Sequence, residues 1–167
     1  MKTGVCCAVL LLVGIGCTAR QTTELTDQQK TQIKSEVTAV GDSIIARWVR
    51  LDGGGAMEYY APDVLVVYNT ATMDFQTYKQ GWLAYDSSMA AVRVAPIRQD
   101  ILPLARNLAV MTWVGNVALI LKSGDTITTD PQIYSNVMKK VVGRWLVVYS
   151  NPSGVDVRHK AGQARRP

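Results

Sequence analysis

Apolar residues recur at helical spacing in an early segment of the chain. They are spaced four, three, four and four residues apart: Ile33, Val37, Val40, Ile44 and Trp48. This spacing puts them on one face of an α-helix. Thr26 and Gln29 have the spacing of a capping box and predict the start of the helix. Consecutive glycines at 53–55 predict its end, because glycine is entropically costly in a helix, and 56–60 can add one further turn.

A second segment has the same kind of periodicity. Its apolar residues are three, four, three and four apart: Phe75, Tyr78, Trp82, Tyr85 and Met89. We predict an amphipathic helix here, with Asp74 as its N-cap. Between the two helices, the run 63–69 ("DVLVVYN") is rich in β-branched residues and predicts a first strand.

After this second helix the pattern becomes strand-like. Four runs have strand character: 92–102, 108–122, 126–140 and 145–153. The stretches "KSGDT" and "VVGRW" supply glycine-containing hairpin turns between the last three. The order of helix, strand, helix and antiparallel meander predicts an α+β fold. We expect a curved antiparallel sheet wrapped around the N-terminal helices as a cone-shaped barrel.

The run 108–121 is apolar on both of its alternating faces. A strand of this kind must be covered on both sides. The helices cover one side, so we expect a second copy of the chain on the other, giving a homodimer through the sheet. The alternative is an interaction module, in which the same face binds another protein of the cell envelope.

The first sixteen residues have the features of a signal peptide. Lys2 gives a positive start, and an uncharged apolar run follows from Val5 to Ile15. This run is shorter than the roughly 20 residues that span a bilayer. The sequence therefore predicts an exported protein.

All three cysteines, Cys6, Cys7 and Cys17, lie within residues 1–20, so the rest of the chain has no disulfide framework. Cys17 in "GIGC" resembles the lipidated cysteine of a bacterial lipoprotein, which implies cleavage before Cys17 and a lipid anchor at the cell envelope. Ordinary cleavage after Ala19 is the alternative. With cleavage before Cys17, residues 17–26 form the lipidated cysteine and a tether.

The net charge is +5, and the tail after Val155 carries +3 of it, from four basic residues against Asp156: Arg158, Lys160, Arg165 and Arg166. No basic stripe crosses the expected folded region, 27–155, so we predict no nucleic-acid binding. We interpret 156–167 as a basic, disordered tail. The single histidine, His159, falls in this tail, so neither an imidazole base nor an imidazole metal ligand is expected inside the domain.

Several stretches together resemble the SnoaL-like branch of the nuclear transport factor 2-like superfamily. They are the first helix ending in "LD", "YYAPDVLVVYN", the helix around Trp82, and "GRWLVVYSNPS". The resemblance spans about 26–154 and implies the cone-shaped α+β fold. In that family the closing strand often carries two histidines on alternate positions. Here Tyr149 and Asn151 stand in their places, so histidine-dependent dehydratase chemistry is not expected.

The ketosteroid isomerase branch of the superfamily implies a carboxylate base and a protonated aspartate. The resemblance places Tyr68 at the position of the base and Ser135 at the position of the aspartate. A slip of one residue would bring Asn69 or Asn136 there instead. None of these four restores a carboxylate, which weighs against isomerase chemistry.

The resemblance implies a pocket at the mouth of the cone. We expect its ligand-binding residues to be Tyr68, Trp82, Ser135, Tyr149 and Asn151. We predict no catalytic residue, metal or cofactor. The favoured function is binding of an undefined small apolar molecule by a lipid-anchored envelope protein. The alternative is a lyase, isomerase or hydrolase of the ketosteroid isomerase type that acts on an apolar metabolite.

Overall fold

A computed structural model describes residues 24–68 and 70–161 of the protein. The predicted signal peptide, Cys17 and most of the tether lie outside these residues, as do Asn69 and the end of the predicted tail. The helices are α1 (Asp27–Val49), α2 (Gly53–Ala56) and α3 (Phe75–Ser88), with a 3₁₀ turn at Met57–Tyr59. The strands are β1 (Tyr60–Tyr68), β2 (Ala71–Met73), β3 (Met89–Ala105), β4 (Leu108–Leu121), β5 (Thr126–Val141), β6 (Arg144–Ser153) and β7 (Asp156–His159).

Helix α1 begins where the capping box predicts. The Gln29 amide donates to Thr26 Oγ1 at 3.2 Å, and the Thr26 amide donates to Gln29 Oε1 at 2.9 Å. On the face toward the sheet, the buried position is Gly41 rather than the predicted Val40. A Cβ at Gly41 would lie 2.7 Å from Gln99 Nε2, so a larger residue there would require the Gln99 side chain to move.

The glycine-rich stretch ends α1 and then forms a short helix of its own, which the sequence did not predict. Asp52 caps this helix by accepting from the Gly55 amide at 2.9 Å. The Gly53 amide donates to Asp86 Oδ2 of α3 at 2.6 Å. The connection between the two long helices is therefore tied to both of them.

The sheet has the order β2-β1-β6-β5-β4-β3. Among the strands of the described residues only the β1–β6 pair is parallel, and the hairpins β3–β4, β4–β5 and β5–β6 form the expected meander. Gly124 and Gly143 have φ angles of 88° and 79°, the left-handed conformation that the predicted turns require. The sheet is curved but not closed, and the prediction of an α+β fold is confirmed.

The C-terminal segment corrects one prediction. We interpreted 156–167 as disordered, but β7 pairs with residues Thr126–Thr129 of β5. The β5 strand extends beyond the residues that β6 pairs, and β7 satisfies the backbone groups that would otherwise be left open. The buried Asp125 carboxylate holds the segment, 2.8 Å from Arg158 Nη2 and 3.0 Å from the Ala161 amide that donates to it.

The two faces of the sheet differ in how they are covered. The inner face meets α1 and α3, and Met111, Trp113 and Leu119 of β4 are buried there. On the outer face Val110 and Ile120 are only half-buried in the single chain. The pattern of two apolar faces on β4 therefore leaves an outer surface that the helices do not reach.

Candidate functional site

A cavity of about 190 Å³ opens where α1 and α3 meet the inner face of the sheet. Six aromatic side chains contribute to its wall: Trp48, Tyr68, Tyr78, Trp82, Tyr85 and Tyr134. Aliphatic side chains from β2, β4 and β6 fill the gaps between them. An apolar cavity of about 150 Å³ is enough for a benzene-sized ligand, so this one has room for a somewhat larger molecule.

Helix α3 supplies half of the aromatic wall because of its periodicity. Tyr78, Trp82 and Tyr85 are four and three residues apart, and so share the face that looks into the cone. Asp74 caps the helix by accepting from the Thr77 amide at 2.8 Å. Gly81 lies between these rings at the wall, with no atom within 4 Å of where its Cβ would be. That gap is part of the space open to a ligand.

The rings contact one another edge to face. The centroids of Trp48 and Trp82 are 5.7 Å apart, and Trp48 also lies 6.1 Å from Tyr134. Tyr78 continues the network from Trp82 at 6.1 Å. Each such pair adds about 0.5–1.5 kcal/mol beyond simple burial. The wall is therefore held together by residues from α1, α3 and β5, and it exists only in the folded chain.

The tyrosines of the cavity are neutral. Burial raises the pKa of Tyr78 to about 12, and it raises the pKa of Tyr134 well above the ordinary value of 10.0. The pKa values of Tyr68 and Tyr85 are raised by burial first and then by the nearby Asp156 carboxylate. These phenols stay protonated at neutral pH and offer hydroxyl groups rather than charges.

Asp156 is the one charged residue among those that line the cavity within the described chain. It is the first residue of β7, and its Oδ1 accepts a hydrogen bond from Thr129 Oγ1 of β5. Sequence reasoning missed it because it was placed in the tail. A signal was available in the alternation of "VDVRH", since period two over 155–159 is typical of a strand.

The structure brings two of the five predicted ligand-binding residues to the cavity. Tyr68 and Trp82 line it. Ser135, Tyr149 and Asn151 do not; they lie on the outer face, where Ser135 and Asn151 face each other across β5 and β6. The assignment of these three residues to the pocket is corrected.

A β-bulge explains that correction. Met138 pairs with Val147 and Val137 with Tyr149, so Val148 is an extra residue in β6. The buried positions of the strand change from Trp145 and Val147 to Ser150 and Pro152. A bulge reverses which residues point inward. The sequence-based prediction assumed a regular alternation without this bulge, so it placed the polar end of the strand on the wrong face.

Of the two neighbours Ser135 and Asn136, Asn136 is the one that faces the interior. Asn136 is 4% exposed and lines a second cavity of about 20 Å³, behind Trp48, Trp82 and Tyr134. Ser150 lies directly across from it on β6. Within the described residues Asn136 Oδ1 and Ser150 Oγ have no hydrogen-bond partner. A space of this size suits a single water-sized group.

Residues 24–68 and 70–161 contain no group of three or more His, Cys, Asp or Glu side chains that could hold a metal ion. The single histidine lies on β7, where His159 Nε2 is 3.0 Å from Thr128 Oγ1. Its ring is not part of the cavity wall. None of the helices in the described ranges is both long and apolar enough to cross a bilayer.

No family model matches the sequence, and no curated protein matches it. Solved structures do match the fold. A proposed scytalone dehydratase from Novosphingobium aromaticivorans has a TM-score of 0.73 at 10% identity, over 84% of this chain and 100% of the other. A nuclear transport factor 2-like superfamily protein from Salmonella enterica has a TM-score of 0.67 at 14% identity, over 81% and 99%.

A hexachlorocyclohexane dehydrochlorinase from Novosphingobium barchaimii is similar as well, with a TM-score of 0.66 at 9% identity over 85% of this chain and 99% of the other. These proteins differ in the chemistry that their names describe, and they share one architecture. Identities this low establish the fold and leave the function to the site. The chain has the nuclear transport factor 2-like fold.

Proposed function

We propose that this domain binds a small, mostly apolar molecule in the aromatic cavity and does not transform it. The observation that carries the proposal is the cavity of about 190 Å³ walled by six aromatic side chains. Pockets for small organic ligands are concave and mostly apolar, with a few polar groups that orient the ligand. Tyr68, Trp82 and Tyr134 provide such a wall, and Gln132 and Thr129 provide polar edges.

The enzymatic alternative has weaker support from the same geometry. Chemistry of the ketosteroid isomerase type would use Tyr68 as the base and Ser135 as the hydrogen-bond donor. Burial raises the pKa of Tyr68, so its hydroxyl stays protonated at neutral pH. Ser135 lies on the outer face, opposite Asn151. Neither residue is in place for that reaction, and binding is the better supported function.

Thermal stability of residues 18–167 against a panel of steroid-, terpene- and polyketide-like compounds tests the proposal. A ligand at about 100 times its dissociation constant adds about 2.7 kcal/mol, which for a domain of this size raises the melting temperature by several degrees. We expect at least one compound to do so. A panel that leaves the melting temperature unchanged would contradict the proposal.

A pair of variants on α3 shows whether a hit occupies this cavity. Gly81→Leu fills the open space at the wall, since no atom lies within 4 Å of its Cβ position. Ala84→Leu adds the same side chain at an exposed position of α3 that is not part of the wall. We expect Gly81→Leu to remove the ligand-induced shift and Ala84→Leu to keep it. A shift that survives in Gly81→Leu would place the ligand elsewhere.

The protein acts, in this proposal, at the bacterial cell envelope, exported by residues 1–16 and anchored by lipid on Cys17. The apolar run before Cys17 supports this location. Expression of the full chain tests it: we expect the protein in the membrane fraction, and Cys17→Ala to release it or leave it unprocessed. Cys7→Ala is the matched control. Equal membrane association of both variants would contradict the lipid anchor.

We also propose that two copies of the chain meet through the outer face of the sheet. An apolar row crosses five strands there, formed by Leu102, Val110, Val137, Tyr149 and Leu65. Leu102 is 59% exposed and Leu65 46% exposed in the single chain. Unpaired apolar rows of this length favour association.

Light scattering after size exclusion tests the dimer. We expect a dimer for the domain and a monomer for Leu102→Asp, which puts a charge in the row. Leu83→Asp is the control, because Leu83 is 40% exposed on α3, away from the outer face. A monomer at all concentrations would contradict the dimer and favour a different envelope protein as the partner on this face.

A further inference from the structure

We propose that the ligand carries an organic cation, an amine or a quaternary ammonium group, and that the aromatic wall and Asp156 recognise it. This inference rests on the proposed binding function and narrows the chemical class of the ligand. It comes from the composition of the wall, which joins six aromatic rings to one carboxylate and includes no lysine, arginine or histidine among the described residues.

The rings are suited to a cation because of their charge distribution. The face of an aromatic ring is negative, and a cation within about 6 Å of a ring centroid is attracted to it, most strongly by tryptophan. Trp48 and Trp82 both line the cavity, with centroids 5.7 Å apart. Tyr68 and Tyr85 line it as well, on the side where Asp156 lies. A methylated ammonium group presents an apolar surface and a positive charge to such a wall.

The carboxylate is available because its basic neighbours are engaged elsewhere. Arg158 and Lys160 belong to the same C-terminal segment, and both bind Asp125, at 2.8 Å and 3.3 Å. Within the described residues Asp156 forms no ion pair, and its Oδ1 accepts from Thr129 Oγ1. The carboxylate of Asp156 therefore lies at the cavity without a basic partner among these residues. After burial, which is the main cause, it also raises the pKa values of Tyr68 and Tyr85.

An anionic ligand is disfavoured by the same arrangement. It would lose hydration on entering an apolar space and would meet a carboxylate with no cation to offset either cost. A neutral ligand gains only apolar burial. A cation gains this burial together with the attraction of the rings and of the carboxylate, which is exposed to solvent at the edge of the cavity.

The test compares two molecules of the same shape: phenyltrimethylammonium and its neutral analogue tert-butylbenzene. Quenching of tryptophan fluorescence gives both dissociation constants on the wild-type domain, residues 18–167. We expect the cation to bind at least about tenfold more tightly, equivalent to about 1.4 kcal/mol. Benzoate, as the anion, is expected to bind more weakly than either. Equal binding of the two analogues, or tighter binding of the neutral one, overturns the inference.

Two variants assign the preference to named groups. Asp156→Asn keeps an oxygen to accept from Thr129 and removes the charge, so the ratio of the two constants should fall severalfold. Asp63→Asn is the control, since Asp63 is exposed on β1 outside the cavity. Tyr85→Leu removes an aromatic face while keeping apolar volume, and it too should lower the ratio. This second variant keeps the test valid if Asp156→Asn loosens β7. A ratio unchanged in both variants overturns the inference.

Failure of this inference can be told apart from failure of the proposed function. If a compound of the apolar panel binds in the cavity but phenyltrimethylammonium binds no more tightly than tert-butylbenzene, the proposed binding function stands and the preference for a cation is overturned. If neither the panel nor the cation binds, both are overturned.

Discussion

A few polar side chains join parts of this chain that are distant in sequence. Glu36 of α1 accepts from Trp145 Nε1 and from Lys140 Nζ, both at 2.7 Å, and so ties the first helix to the last hairpin. The Lys140 hydrogen bond and then the Trp145 hydrogen bond lower the pKa of Glu36 from 4.5 to about 2. The ionised carboxylate of Glu36 therefore helps to hold the folded structure together.

We predict that Glu36→Gln destabilises the domain in a pH-dependent way. The folded pKa of Glu36 is depressed, so its contribution is complete above the unfolded pKa and is lost as the pH falls from about 5 to about 2. Because the pair is partly exposed, solvent screening leaves about 1 kcal/mol at neutral pH. Urea unfolding near pH 7 and near pH 3 measures the difference from wild type, which should shrink in acid. Glu58→Gln, at an exposed position, is the control, and a difference that stays constant with pH would contradict the prediction.

At the scale of elements, β7 completes the edge of β5 and brings Asp156 to the cavity. Its position depends on Asp125, whose pKa is lowered by the Ala161 amide first and then by Arg158 and Lys160. A buried carboxylate that accepts these bonds links the β4–β5 turn to the C-terminal segment. The last strand is therefore held by contacts remote in sequence rather than by its own β propensity.

We predict that Asp125→Asn loosens β7. The neutral amide keeps the shape of the side chain but loses the attraction to Arg158 and Lys160, so the 156–161 segment should open more often. Hydrogen exchange measures this: amides of 156–161 should exchange faster than in wild type, while those of α1 keep their protection. Asp130→Asn, at an exposed position, should leave both regions unchanged. Unchanged exchange in β7 of Asp125→Asn would show that strand pairing alone holds the segment.

At the scale of the whole molecule, the cavity is assembled from helices α1 and α3 and from strands such as β5, which meet only after folding. Trp48 ends α1, Trp82 lies in α3 and Tyr134 in β5, and the three rings form one wall. Burial of the phenols in this wall keeps them uncharged well beyond neutral pH. The site is consequently a property of the assembled cone, and its electrostatics follow from burial.

We predict that binding of a neutral apolar hit from the panel is constant from about pH 7 to about pH 10. The pKa of Tyr78 is raised to about 12, that of Tyr134 is raised well above 10.0, and those of Tyr68 and Tyr85 are raised above 10.0, so the wall gains little phenolate charge over this range. Fluorescence titrations at several pH values measure the dissociation constant, and the melting temperature at each pH shows whether the fold persists. A sharp weakening below pH 10 with the fold intact would contradict the prediction.

Features that depend on neighbouring residues could be predicted from the sequence. The capping box of Thr26 and Gln29, the cap at Asp74 and the glycine turns at 124 and 143 are set within one turn of chain, so periodicity and spacing located them. The α+β class followed from the order of these elements. The resemblance also pointed to Tyr68 and Trp82, which line the cavity.

Which strand residues face the cavity could not be predicted in this way, because it depends on how the strands pair. The extra residue Val148 reverses the alternation of β6, so Tyr149 and Asn151 point away while Ser150 and Pro152 point in. The pairing of β7 with β5 brings Asp156 into the wall. Register and strand pairing depend on partners far along the chain, and a shift of one residue moves every side chain to the opposite face.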